Sequence, residues 1–123
     1  MIVLDEQLTE AQIALDIARW YKGSVINVLH LRPQTVVLDD AVSTLLRTVK
    51  QPTFVTINYA DFWNIYPASA AYCLVCFKLP TVRAPEVPGL LREVLSLPEY
   101  RTKRDRMGCV ISWRNHVVED YCV

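Results

Sequence analysis

The chain has 123 residues, 52% of them hydrophobic and 21% charged, with 13 basic and 13 acidic side chains and four cysteines. That length suits one domain spanning 1–123 with a single core, and the composition excludes disorder. No apolar run approaches the roughly 20 residues of a membrane span. The acidic pair directly after the first apolar run is wrong for a secretory signal, so a soluble, cytoplasmic protein is expected.

In chain order, Ile2–Val3–Leu4 is a short first strand ending at Asp5 and Glu6. Thr9 is placed to cap a helix running to about Lys22, with Leu8, Ile13, Leu15, Ile17, Ala18 and Trp20 giving a broad apolar face and Gly23 at its stop. SVINVLHL follows as a second strand, closed by His30. After a loop broken by Pro33, Asp39 or Asp40 caps a helix through DDAVSTLLRTVK, which Pro52 ends.

TFVTIN is rich in β-formers and reads as the third strand. ADFWNIYP is a turn of helix or a loop, and AYCLVCF is a fourth strand with apolar residues on both faces. GLLREVLSL is a further helix after a proline-punctuated stretch. A basic loop then carries Arg101, Lys103, Arg104 and Arg106, and CVISW with HVVEDYCV forms a final strand or a hairpin. Alternating strands and helices predict an α/β fold with a mostly parallel central sheet and helices on both faces.

Cys73 and Cys76 form a C-x-x-C inside a strand, so their side chains point in opposite directions and do not grip one metal. Cys109 and Cys122 are also embedded in strand-like sequence. All four are expected to be buried, reduced thiols.

The acids carry the chemistry. In an open parallel sheet, ligands bind beyond the carboxyl ends of the strands. Asp5 and Glu6 follow the first strand, Asn58 and Asp61 the third, and Asp39 and Asp40 the loop after the second. If the first and third strands are neighbours, these groups meet at one edge. Each also has a plain structural explanation: Asp39, Asp40 and Asp61 as helix caps, Glu6 as a solvated residue. Asp5 is harder to dismiss, because an acid closing a buried strand needs a partner or a cation. Carboxylates without a Cys–His set suit Mg²⁺ or Mn²⁺, and the matching chemistry is displacement at phosphorus. No Gly-rich phosphate loop is present.

LDEQL, VLHLR, DDAVSTLL and FVTINYADFW together resemble the PIN-like domain, more narrowly the small PIN-like proteins related to VapC-type toxins of toxin–antitoxin pairs. The match covers roughly the first 66 residues, and PEYRTKRDRMGCVI is similar to the tail of that group. The resemblance implies a three-layer Rossmann-like domain and a metal-dependent endoribonuclease. It implies catalytic and metal-holding roles for Asp5, Asp40 and Asp61, with Glu6, Asp39 and Asn58 as secondary ligands or water-orienting groups. Asn58 stands where the family carries an acid, which removes one charge. RNA is the implied partner, with phosphate contacts from Arg32, Arg101, Lys103, Arg104 and Arg106, and Tyr59, Trp63 and Tyr66 as rim aromatics for packing or base stacking. A cognate antitoxin protein and a homodimer are implied as well. The alternatives are a PIN-like module that binds RNA or protein without cutting, and a small-substrate phosphatase.

Overall fold

The computed structural model describes residues 1–31 and 41–123. The described residues form a six-stranded sheet from β1 (Ile2–Leu4), β2 (Val25–Asn27), β3 (Thr53–Thr56), β4 (Cys73–Phe77), β5 (Cys109–Arg114) and β6 (Val117–Cys122). Its order is β2-β1-β3-β4-β5-β6. Strands β1 to β5 run parallel and β6 returns antiparallel beside β5. The helices are α1 (Ala11–Ala18), α2 (Val42–Leu46), α3 (Tyr59–Phe62), α4 (Val87–Leu95) and α5 (Lys103–Arg106). The expected α/β class and mostly parallel sheet are found, and β1 and β3 are neighbours, with Leu4 opposite Val55.

Alternation along the strands divides the apolar residues between two cores. Ile2, Leu4, Val55, Val75, Phe77 and Ile111 share one with Ile13 and Ile17 of α1 and Val87, Leu91 and Val94 of α4. Val3, Phe54, Leu74 and Val110 share the other with Val42 and Leu46 of α2 and Phe62 of α3. Each fully buried Leu or Phe in these sets contributes about 1.5–3 kcal/mol. Cys73 lies in the first core and Cys76 in the second, so the two thiols face apart as their spacing requires. Burial pushes both thiols up to about 12.

The connections have an unequal hand. The step from β1 to β2 passes through α1 in the first core, and the opposite step from β3 to β4 passes through α3 in the second. Those two share a hand. The step from β4 to β5 continues in the β3-to-β4 direction, yet its helix α4 lies in the first core, so its hand is reversed. Parallel crossovers are almost always right-handed, and one of these departs from the others. A proline-bearing 3-10 turn, Thr81–Glu86, carries the chain across and packs on α1 before α4 begins. The outcome is that α1 and α4 lie side by side.

Several local expectations are corrected. The second strand stops at Asn27, because the Asn27 side chain accepts from Leu29 N–H at 3.0 Å and opens a 3-10 turn, Val28–His30. His30 Nδ1 accepts from Asn27 N–H at 3.1 Å, so this histidine closes a cap rather than a strand. Helix α1 ends at Ala18, and Glu10, not Thr9, occupies its N-cap position without a side-chain bond. The basic loop contains α5, capped by Thr102, whose hydroxyl accepts from Asp105 N–H at 3.1 Å. The C-terminal segment is a hairpin. Asn115 and His116 take left-handed backbone at φ 48° and 63°, which matches a two-residue turn between twisted strands. Cys109 and Cys122 face each other across it and form a disulfide, so they are not reduced thiols. No helix among the described residues is long and apolar enough to cross a membrane.

Candidate functional site at the carboxyl edge of the sheet

The strand order reverses between β1 and β3, and in open parallel sheets that switch point opens the ligand crevice at the carboxyl ends. Asp5 stands there. It is only 3% exposed, and its backbone N–H donates to Val55 carbonyl at 2.9 Å, which continues the β1–β3 ladder one residue past the strand. Its carbonyl accepts from Asn27 Nδ2 at 3.1 Å, and the same amide donates to Leu8 carbonyl at 3.4 Å. Asn27 thus ties the end of β2 to the loop that carries the acid.

The Asp5 carboxylate is held by two donors. Glu6 N–H reaches Oδ1 at 2.8 Å, and the fully buried Thr56 hydroxyl reaches Oδ2 at 2.6 Å. Burial pushes the Asp5 carboxyl above the usual carboxylate range. The Thr56 and Glu6 hydrogen bonds pull the other way, and the Glu6 charge adds to the rise. Among the described residues Asp5 has no cationic partner.

Thr56 passes the network on. Its Oγ1 accepts from Asn58 N–H at 2.9 Å, and Asn58 Nδ2 donates to Asp61 Oδ2 at 2.9 Å. A hydrogen-bonded relay therefore runs from buried Asp5 through Thr56 and Asn58 to exposed Asp61. Asp61 is engaged by that amide rather than by capping α3, whose N-cap residue makes no side-chain cap bond. An acid at position 58 would meet Asp61 as a like charge; the amide meets it as a donor.

Of the residues singled out by sequence, Asp5, Glu6, Asn58 and Asp61 come to this edge. Arg32, Asp39 and Asp40 lie outside the described residues. The basic segment does not come to it. Arg106 donates to Thr53 Oγ1 at 2.9 Å, at the amino end of β3, so Arg101, Lys103, Arg104 and Arg106 sit toward the opposite end of the sheet. Among the described residues, Lys78, directly after β4, and Arg114, the last residue of β5, are cations at the acidic edge. With Asn58, Tyr59, Leu79 and Asn115 they line a cleft of about 520 Å³. Lys78 Nζ lies 5.8 Å from the Tyr59 ring centroid, and Arg114 pairs with Glu119 at 3.5 Å on the surface. Both cations directly close an apolar strand, which is the signal that singled out Asp5.

The aromatics divide. Tyr66 is buried and its hydroxyl accepts from Ser43 N–H at 2.9 Å, while Trp63 packs on Tyr121 at 5.0 Å between centroids. Tyr59 lines the cleft, with its hydroxyl 2.8 Å from Ser112 Oγ. His116 sits exposed in the hairpin turn against Trp113.

The donor set at this edge is oxygen-rich and hard: two or three carboxylates and an amide. Among the described residues its carboxylates do not form a trio within 4.8 Å of one another. The one such group joins Asp120 to Cys109 and Cys122, and those sulfurs are consumed in the disulfide. Comparison with protein-family models, with curated proteins and with solved structures returns no match to this chain.

Proposed function

We propose that this chain is a three-layer Rossmann-like domain of the PIN-like kind. In this reading it acts as a Mg²⁺- or Mn²⁺-dependent endoribonuclease, the toxin half of a toxin–antitoxin pair. The observation that carries this reading is the relay from Asp5 to Asp61, set at the switch point of a parallel sheet and bordered by a cleft bearing Lys78 and Arg114. A buried carboxylate without a cationic partner among the described residues suits a bound divalent ion. Asp5 and Asp61 would hold it, with Glu6 and the Asn58 amide as further oxygen donors, and Asp39 and Asp40 belong to the same proposal. When bound, such an ion polarises the phosphoryl oxygen and lowers the pKa of an attacking water.

The chain's own groups do the rest. Lys78 and Arg114 place two positive charges where a phosphodiester would enter the cleft, and Tyr59 offers a face for an adjacent base. Asn58, fixed by Thr56 through its backbone and by Asp61 through its side chain, is set to orient a water. That water would attack phosphorus as one P–O ester bond breaks, and the proton it gives up balances the one taken up by the leaving oxygen. A homodimer and a cognate antitoxin partner complete the proposal.

Purified protein incubated with RNA and Mn²⁺ tests it. Cleavage is expected, and Asp5→Asn and Asp61→Asn are expected to abolish it; equal cutting by both variants would sink the assignment. A second reading, a PIN-like module that binds RNA or protein without cutting, is favoured by the Asn58–Asp61 hydrogen bond, which satisfies Asp61 without any cation. Calorimetric titration with Mn²⁺ separates the two, since only the nuclease requires metal binding that depends on Asp5.

A further inference from the structure

The reversed β4–β5 connection that seats α4 beside α1 creates a second cleft, at the amino-terminal end of the sheet. It has a volume of about 380 Å³ and is lined by Trp20 and Tyr21 after α1, Arg92 of α4, and Arg101, Lys103 and Arg106 around α5. Four cations line it and no carboxylate does. None of the four forms a salt bridge among the described residues. Asp16, which lines the adjoining groove, is already engaged by Gln12 at 2.7 Å and Arg19 at 3.4 Å.

Arg106 is the unusual member. It is 3% exposed, and its guanidinium donates to two neutral oxygens, Thr53 Oγ1 at 2.9 Å and Tyr100 carbonyl at 3.1 Å. Those bonds fix the plane of the group but leave its charge without a counter-ion among the described residues. Burying an uncompensated charge is costly. Trp20 lines the same cleft, and its indole Nε1 is a buried donor with no partner among the described residues. A fixed guanidinium and three more cations call for a compact anion with several acceptor oxygens.

We propose that this cleft binds a phosphate group, with Arg106 as the fixed anchor and Arg92, Arg101 and Lys103 as the closing charges. The proposal is independent of the reading given to the acidic edge. The phosphate is carried either by a nucleic-acid strand or by a small phosphorylated molecule, and the chemistry of the cleft is the same for both.

The test uses the full chain, titrated in a calorimeter with inorganic phosphate and with a short single-stranded oligoribonucleotide, without divalent metal. Tryptophan emission is followed in parallel. Binding of at least one probe is expected, with affinity reduced about tenfold or more in the Arg92→Gln/Arg101→Gln double variant. Both side chains are exposed, so that variant is expected to keep the wild-type thermal midpoint. Asp5→Asn should bind as the wild type does, which separates this cleft from the acidic edge, and Trp20→Phe should silence the emission change. Tighter binding of the oligonucleotide with a steep salt dependence assigns a nucleic-acid phosphate. Equal or tighter binding of inorganic phosphate assigns a small ligand. No binding of either probe, or undiminished affinity in the double variant, overturns the proposal.

Discussion

Replacing Thr56 by valine keeps the shape of a fully buried side chain and removes one oxygen, the one that joins Asp5 to Asn58. The lost bond to the Asp5 carboxylate, 2.6 Å long, is of the charge-assisted kind and worth about 1.5–3 kcal/mol. The Asn58 N–H also loses its acceptor, which adds up to about 1 kcal/mol because Asn58 is only half-buried and water can reach it. A destabilisation of about 2–4 kcal/mol is expected at neutral pH. For a chain of this length that lowers the thermal midpoint by roughly 8–15 °C. The Thr56 bond favours the ionised form of Asp5, so its contribution is present above the Asp5 folded-state pKa and lost as pH falls through it. The cost of Thr56→Val should therefore shrink in acid toward the value of a neutral hydrogen bond, about 1 kcal/mol. Urea denaturation at several pH values, with Asp5→Asn as the second arm of a double-mutant cycle, measures this. Additivity of the two substitutions within about 0.5 kcal/mol, or a pH-independent cost, would refute the coupling.

Three further outcomes follow from the same geometry. Asp5 is raised by burial, so its ionisation opposes folding: stability is fullest below the unfolded-state pKa and falls as pH rises through the folded one. Asp5→Asn should accordingly raise the thermal midpoint at neutral pH and converge with wild type in acid, as differential scanning calorimetry would record. Asn58→Asp replaces the donor to Asp61 with a like charge and should cost about 1–2 kcal/mol in metal-free buffer. Added Mn²⁺ should recover that loss in a thermal shift assay, and no recovery would argue against a cation at this edge. Cys122→Ser opens a 13-residue separation closed by the disulfide and should cost about 3 kcal/mol, read by urea denaturation with and without reductant.

The apolar strand runs were legible because their burial is continuous: TFVT and CLVCF are wholly buried, and only β-strands covered on both faces read that way. Asp5 was legible for a related reason, as a charge closing such a run. Lys78 and Arg114 carry the same signal, a charge closing an apolar strand, whereas the Lys/Arg run at 101–106 lies toward the other end of the sheet. Asn27 was hidden because its role is non-local. Its amide bridges Asp5 and Leu8, some twenty residues away, while its oxygen ends the strand from within. The disulfide was latent in the register, since Cys109 and Cys122 stand equally far from the Asn115–His116 turn. Their placement in apolar, strand-like sequence, taken without the register, points to free thiols.

The reversed connection that brings α4 onto α1 has a consequence for how the molecule comes apart. Helix α1 belongs to the first fifth of the sequence and α4 to the last third, yet Ile13 and Ile17 share a core with Leu91 and Val94. A fragment ending after β3 would leave Ile13 and Ile17 without that cover, and a fragment beginning there would bare Leu91 and Val94. Neither half holds a closed apolar interior of its own. The two halves are thus bound into a single cooperative transition, in which the acidic edge and the basic cleft are gained and lost together.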